Sequence, residues 1–438
     1  MITAKAFAGK KYAVLGLARS GAATVRALLA SGAQVLAWDD KGLPNGLLPQ
    51  IKDDRRFHDE LPGFVFKNWL LAKELTGFDA VIVSPGVPLN RHPVREKAER
   101  YGLPIIGDIE LFARARPELP PHKVVGITGT NGKSTTTALI YHILKTAGVP
   151  TSMGGNIGLP ILAQDPLPEG GIYVLELSSY QIDLTQGLDC DVAVLLNITP
   201  DHLDRYEGFE AYAASKARLF GMQSENGAAV ISMSTAPAVQ IAGDLDQFVA
   251  CVDAKTWPID QSHYPTLQGP HNAENALISQ NVCELLNIPT QAIEKGLRTY
   301  PGLPHRMERV REKDGVTFVN DSKATNPTAT APALAAFDGI RWICGGQPKS
   351  DNLDECAPFF GHVRKAYTIG EAGELFASLL SPQMEVAECQ TLERAVGEAA
   401  AEAESGDTVL LSPACASFDQ FRDFEDRGDQ FRRLVEGL

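Results

Sequence analysis

At 438 residues the chain is too long for one compact core, and two or three domains are expected. Its 40 basic against 54 acidic residues leave a net charge of −14, which argues against bulk electrostatic binding to nucleic acid or to an anionic membrane. No stretch approaches the roughly 20 uninterrupted apolar residues of a membrane span, and the apolar run near the start is too short for a signal peptide. The 7 cysteines show no CxxC pair and no repeated spacing, which suits a reduced, cytoplasmic protein better than a disulfide framework or a zinc site.

In chain order, "YAVLGLA" reads as a buried strand, "SGAATVRALLASGA" as a helix, "QVLAWDD" as a second strand and "DAVIVSPGVP" as a later one. Short apolar runs alternating with helical patterns indicate a parallel α/β sheet. A second block opens at "KVVGITGTNGKS" and continues through strand-like runs at "IYVLELS", "DVAVLLNIT" and "GAAVISM" to a helical stretch near "HNAENALISQNVCELL". The Pro- and Gly-punctuated "TYPGLPHRMERV" reads as a hinge. Beyond it "VTFVNDSKA", "IRWICGG", "KAYTIG" and "TVLLSPA" alternate again, each ending in polar or glycine residues where an α/β sheet keeps its working loops. The expectation is an α/β protein of three domains: a Rossmann-like block over residues 1–107, a P-loop-type ATPase block over 108–302 and a second Rossmann-like block over 303–438.

The chemistry-bearing residues cluster at these strand ends. In "GITGTNGKSTTT" the backbone of Gly129, Thr130, Asn131 and Gly132 can wrap a phosphate, because glycine permits the turns and the close approach. The helix that follows adds its positive end, Lys133 a point charge, and Ser134 a hydroxyl for Mg²⁺. The glycines are off the common P-loop spacing, since that pattern wants one at Ile127. "VLELSSYQ" sets Glu176 inside an apolar strand, where a carboxylate is costly unless something such as a nucleotide-bound metal pairs with it. His202 in "NITPDHLDRY" reads equally as a ligand or a surface group, and Lys216, about one helix on, reads by itself as a solvated helix lysine. Asn272 and Asn275 share a helix face, and either read a base edge or cap the helix. "GLARSG", residues 16–21, is a degraded dinucleotide fingerprint with Ala18 in its middle, and Asp39 lies where such a fold keeps its ribose-binding acid.

Taken in series, "GITGTNGKSTTT", "LELSSYQ", "NITPDHLDRY" with Lys216, "GPHNAENA", "LPHRME", "NDSKATNP" and "LSPACASFDQF" resemble the ATP-dependent Mur ligases of bacterial cell-wall synthesis. "GGNIG" at 154–158, "SPG" at 84–86 and "GDIELF" at 107–112 fit as well, so the resemblance covers essentially the whole chain. It implies a carboxylate–amine ligase that joins D-glutamate to the alanyl carboxylate of UDP-N-acetylmuramoyl-L-alanine through an acyl phosphate, acting as a monomer. Lys133 would then contact the outer phosphates of ATP within a loop that includes Thr135. Ser134 and Glu176 would hold one Mg²⁺, and His202 with a carbamylated Lys216 a second. Asn272 and Asn275 would read adenine, with Asp321 and Arg306 at the ribose and phosphates. Arg19, Ser20, Asp39, Ser84 and Gly86 would hold the UDP portion, and Asn156 and Ser178 would line the path to the reacting carboxylate. Lys323, Thr325, Lys349, Ser417, Phe418 and Phe424 would surround D-glutamate. Closure of the third block onto the second is expected near 302–306.

Gln347 and Pro348 depart from the Asp and small residue that relatives often carry before the lysine, and "WDDK" departs from an Asp-Thr-Arg type of run. No "DNPR"-type run is present, which favours glutamate over a diamino acid. The rivals are a folate-extending glutamate ligase, which lacks a UDP-binding front block, an NAD-dependent oxidoreductase, which the Lys133 loop does not suit, and an ATP-driven switch.

Overall fold

A computed structural model of the chain describes residues 1–44, 47, 63–70, 75–201, 204–256 and 259–438. Two compact units emerge, Met1–Pro258 with Glu274–Leu297, and Ile259–Ala273 with Arg298–Leu438. Among the described residues there are three sheets, two in the first unit and one in the second. No helix among them is long and apolar enough to cross a membrane.

The first sheet is parallel, in the order β3-β2-β1-β4-β5, from β1 (Lys11–Leu15), β2 (Gln34–Trp38), β3 (Phe64–Phe66), β4 (Ala80–Val83) and β5 (Ile105–Ile106). The order reverses at β1, so the loops after β1 and β4 lie side by side over a crevice. The second sheet, also parallel, runs β11-β10-β9-β6-β8-β7, with β6 (His122–Thr128), β7 (Thr151–Gly155), β8 (Gly171–Glu176), β9 (Val192–Leu195), β10 (Ala228–Ser232) and β11 (Phe248–Val252). Its central strands are buried from Val124 on in β6 and throughout β8 and β9, as the near-continuous apolar runs require when helices cover both faces. One apolar cluster runs from Val14 and Leu28 through Ile109 and Phe112 to Tyr173 and Leu195. The first two sheets therefore share a core, bridged by the helix Asp108–Ala115.

In the second unit the sheet order is β12-β13-β17-β14-β15-β16, from β12 (Glu308–Lys313), β13 (Val316–Asn320), β14 (Ile340–Gly345), β15 (Val363–Ile369), β16 (Glu385–Gln390) and β17 (Thr408–Leu411). Only the edge strand β12 is antiparallel to its neighbour. β17 inserts between β13 and β14, which brings the loops after all three to one edge. Local chemistry starts the helices there: Asn326 accepts from Ala329 N ahead of Pro327–Ala336, and Asp423 accepts from Asp426 N ahead of Phe424–Glu436. In the segment read as a hinge, His305 (φ 62°) and Met307 (φ 46°) are left-handed without being glycine, a conformation that only surrounding contacts can hold.

One glycine fixes how the first helix leaves β1. A Cβ at Gly21 would stand 1.8 Å from the Gly16 carbonyl oxygen, so helix Arg19–Ala30 can approach the loop only because none is there. Gly21→Ala is expected to destabilise the first unit by about 2 kcal/mol, read as a lower urea midpoint at unchanged m-value.

Candidate active site

The phosphate-type loop follows β6 at the second sheet's switch point. Gly129 (φ 151°) and Gly132 (φ 83°) occupy backbone space that other residues rarely adopt, and helix Lys133–Thr146 begins directly after Gly132. The loop is pinned from the segment just after β9: Thr130 N donates to Asn197 O at 2.8 Å and Asn131 N to Asn197 Oδ1 at 2.8 Å. Lys133 Nζ donates back to Gly129 O (2.9 Å) and Thr130 O (2.8 Å), folding the ammonium across the loop it belongs to. Ser134 is buried in the first helical turn, and Thr136, one turn in, donates to Asn275 Oδ1 at 3.1 Å. Helix Pro270–Leu285 starts ahead of both asparagines, so neither stands at its N-cap. Asn272 Nδ2 instead donates to Gln268 O at 3.1 Å.

Lys216 overturns its reading as a solvated helix lysine. On helix Phe209–Gly221 it is 1% exposed, its Nζ donating to Gly129 O at 2.9 Å and lying 4.6 Å from the centre of the Tyr212 ring. Burial, then the nearby Lys133 charge, pulls its pKa from 10.5 down to about 7. Helical periodicity could not reveal this, because the lysine points toward a loop more than eighty residues earlier. Glu176, at the end of β8, accepts from Asn156 Nδ2 at 2.8 Å through Oε1, while its buried Oε2 accepts no hydrogen bond from the protein. A buried carboxylate oxygen without a donor suits a cation, so this end of β8 fits a divalent metal. Among the described residues no group of three or more His, Cys, Asp and Glu side chains forms a ready-made metal site. His202 lies outside the described residues. Ser178 is occupied in a capping box with Gln181 at the start of helix Ser179–Asp183, a folding role its motif did not disclose.

The loops of the first sheet converge as their motifs suggested. Ser84 Oγ donates to Gly16 O at 2.8 Å, and Asp39 receives Leu17 N on one oxygen (2.6 Å) and Lys41 N on the other (2.8 Å). Arg19 Nη2 donates to Gly158 O at 2.6 Å, joining "GLARSG" to "GGNIG". Ser20, in the first turn of helix Arg19–Ala30, hydrogen-bonds the buried Asp108 carboxyl, and a Cβ at Gly86 would meet open space.

In the second unit, Lys349 Nζ donates to Thr325 Oγ1 at 3.2 Å, and Lys323 Nζ lies 4.2 Å from the centre of the Phe424 ring. Despite its departure from the expected residue, Gln347 forms paired backbone bonds with Ala416, so the loops after β14 and β17 are zipped beside Ser417. Ser417 is buried, whereas Phe418 is exposed. Asp321 accepts from Met307 N at 3.1 Å and Ser412 Oγ at 2.7 Å, and burial pushes its carboxyl up to about 7. Arg306 closes a turn onto Leu303 O and lends Asp321 its positive field. Sequence reading missed Arg427. Its fully buried guanidinium donates to Ser322 O, Ser322 Oγ, Cys415 O and Ala416 O, fastening two of these loops together. An arginine in the first turn of a final helix carries no signal of that.

A pH dependence follows from Lys216 in the metal-free protein. The unfolded lysine keeps its proton until about pH 10.5, while the folded one releases it near pH 7. Over that interval the native state binds fewer protons than the unfolded state, so this group's contribution makes stability rise with pH. Lys216→Met should therefore be more stable than the parent at pH 6, by on the order of 2 kcal/mol. The gap should narrow by pH 9, as measured by urea denaturation at the two pH values.

Three family models match the chain: Mur ligase MurD-like, N-terminal domain over residues 10–107, Mur ligase middle domain over 127–252, and Mur ligase, glutamate ligase domain over 305–415. The UDP-N-acetylmuramoylalanine–D-glutamate ligase of Novosphingobium aromaticivorans is 57% identical over 446 residues, covering 100% of this chain and 97% of the relative. The enzyme of the same name from Sphingopyxis alaskensis is 56% identical, covering 100% of both chains. Among solved structures, the UDP-N-acetylmuramate–alanine ligase of Thermotoga maritima shares the fold at TM-score 0.59 and 16% identity, over 98% of this chain and 99% of that one. On these matches, spanning both units and the full length of its relatives, the chain belongs to the Mur ligase family.

Proposed function

We propose that the protein joins D-glutamate to UDP-N-acetylmuramoyl-L-alanine at the expense of ATP, the activity carried in the names of its full-length relatives. The observation that carries the reading is the meeting of two lysines, Lys133 and Lys216, at the Gly129 carbonyl within a glycine loop at a helix N-terminus. In this reading residues 1–107 bind the UDP-sugar, 108–302 bind ATP and 303–438 bind the amino acid. Asn272 and Asn275 take the adenine, Asp321 and Arg306 the ribose and phosphates. Arg19, Ser20, Asp39, Ser84 and Gly86 hold the UDP portion.

A carboxylate is a poor electrophile, so the alanyl carboxylate first takes the γ-phosphoryl group of ATP. Two anions must meet for that transfer. Lys133, released from Gly129 O and Thr130 O, turns its charge to the outer phosphates, and the backbone N–H groups at Gly132 and the start of the following helix cradle them, those of Thr130 and Asn131 being held by Asn197. Ser134 and Glu176 would hold one Mg²⁺, and His202 with Lys216 a second, the ions supplying further charge neutralisation. An ammonium cannot ligate a cation, but an amine that is neutral near pH 7 can add to CO₂, losing a proton and leaving a carbamate. Carbamylation of Lys216 would also remove its repulsion with Lys133. Asn156 presents its amide beside Glu176, where the substrate carboxylate would lie. Lys349, Thr325, Lys323, Ser417 and the segment through Phe418 and Phe424 receive D-glutamate, whose neutral amine attacks the acyl phosphate. The tetrahedral intermediate then collapses to amide and phosphate.

Phosphate release from ATP in the presence of UDP-N-acetylmuramoyl-L-alanine and Mg²⁺ is expected with D-glutamate and not with L-glutamate, L-alanine or a diamino acid. Release only with a different amino acid would overturn the acceptor assignment, and release with none would overturn the reaction. Lys133→Ala is expected to lower kcat by about 10³-fold. Lys349→Ala should instead raise the KM for D-glutamate by at least about tenfold while leaving that for ATP unchanged, since it removes a contact to one substrate.

A further inference from the structure

The loop after β9 is tied to the first sheet by contacts that none of the roles above employs. Asn90 Nδ2 donates to Asp204 O at 2.9 Å, and Arg91 Nη2 to the same carbonyl at 3.2 Å. Arg205 answers from the other side, its Nη2 donating to Val87 O at 2.9 Å. Val87 stands one residue past Gly86, in the loop assigned to the UDP-sugar. Each of the three bonds ends on a main-chain carbonyl in a loop that follows a strand.

Arg205 also reaches the catalytic end of the second sheet. Its guanidinium lies 4.3 Å from the centre of the Tyr180 ring, on the short helix that follows Glu176. Tyr180 stacks on Tyr206 at 6.0 Å and 13°, and Tyr206 lies 5.4 Å from Tyr212, the ring under the Lys216 ammonium. The Tyr206 hydroxyl donates to Asp183 Oδ2 at 2.8 Å and sits 3.3 Å from Ser215 Oγ, the neighbour of Lys216 in sequence. A continuous series of contacts thus runs from the β4 loop through Arg205 and three tyrosine rings to the Lys216 helix. A planar guanidinium can lie on a ring and still donate in its own plane, which a lysine ammonium does less well.

We propose that Arg205 is a positioning residue for the ligation. It holds the UDP-sugar loop after β4 in register with the tyrosine ladder beside Lys216, so that the alanyl carboxylate and the γ-phosphate meet at reacting distance. The proposal rests on the reaction given above. Misplacing two bound reactants by an ångström costs rate and leaves affinity largely intact.

The test compares Arg205→Ala and Arg205→Lys with the parent in steady-state phosphate release, thermal unfolding and amide hydrogen exchange. Arg205→Ala is expected to lower kcat by at least about 30-fold, with the KM values for ATP and the UDP-sugar within about threefold of the parent. Its Tm should stay within about 3 °C, and the amides of 87–91 should lose protection. Arg205→Lys should fall between the two, and it carries the test alone if the alanine variant does not fold. A kcat within about threefold of the parent in both variants would overturn the proposal, as would a change confined to the KM for the UDP-sugar. If the parent itself releases no phosphate, the reaction is wrong and hydrogen exchange decides the positioning separately: unchanged protection at 87–91 rejects it.

Discussion

The carbonyl oxygen of Gly129 receives hydrogen bonds from two lysines, one from its own loop and one from a helix far along the chain. Two ammonium groups at one acceptor, in a place largely closed to water, repel each other. That arrangement is tolerable only if one of them surrenders its charge or a strong anion arrives. The depressed pKa of Lys216 is the first response, and a polyphosphate beside Lys133 would be the second. The surrounding structure serves to keep the three groups together: glycine at 129 and 132 lets the loop turn, Asn197 pins it from just after β9, and Tyr212 presents a ring face to the second ammonium. Opposite them, Glu176 offers an unsatisfied buried oxygen, so the site holds excess positive charge on one strand end and unmatched negative charge on the next. A nucleotide with its cation would complement both.

The second unit meets a related difficulty by different means. Three loops with many exposed donors and acceptors must be held in one arrangement, although no regular ladder runs between them. A buried guanidinium holds two of them, since its fixed fork reaches carbonyls of both the post-β13 and post-β17 loops at once. Burial lowers the pKa of Arg427 to about 10, still far above neutrality, so the charge persists and the loop carbonyls solvate it in place of water. Asp321 lies on the same edge, and its attraction to the guanidinium offsets part of the cost of burying the two groups, although burial still raises its carboxyl to about 7. The Gln347 and Ala416 pairing then closes the edge without needing any particular side chain at 347, which explains why a departure there leaves Lys349 beside Thr325.

How much of this was legible in the chain depended on the range of each interaction. The strands were plain, because apolar runs such as "KVVGIT" and "TVLLSPA" must be buried on both faces of a parallel sheet, and the residues that end them mark the working edge. Of the convergences between motifs, the resemblance had grouped Lys349 with Thr325, whereas the meetings of Arg19 with Gly158 and of Asn156 with Glu176 emerged only in the structure. Side chains inside helices were not legible. Lys216 read as solvated because its hydrogen-bond acceptor, Gly129 O, lies outside its own helix, and Arg427 gave no sign, since its partners lie on loops brought close by the sheet; Arg205, in a turn, gave none either. Ser178 carries a further role that its motif did not show, its hydroxyl taking part in the cap of the helix it starts.

The amino-acid sequence by itself determined the alternation of strand and helix, the location of the working loops and the kind of chemistry each loop carries, because these follow from local periodicity and from what glycine, lysine and carboxylate can do at a strand end. Strand order, and with it which loops become neighbours, was decided only in the tertiary structure, where the insertion of β17 between β13 and β14 and the reversals at β1 and β6 place side by side segments distant in the chain. Charge was settled there as well. Whether a lysine is an ordinary cation or a nearly neutral amine depends on how much water it keeps and which other charges stand beside it, and no residue carries that information alone.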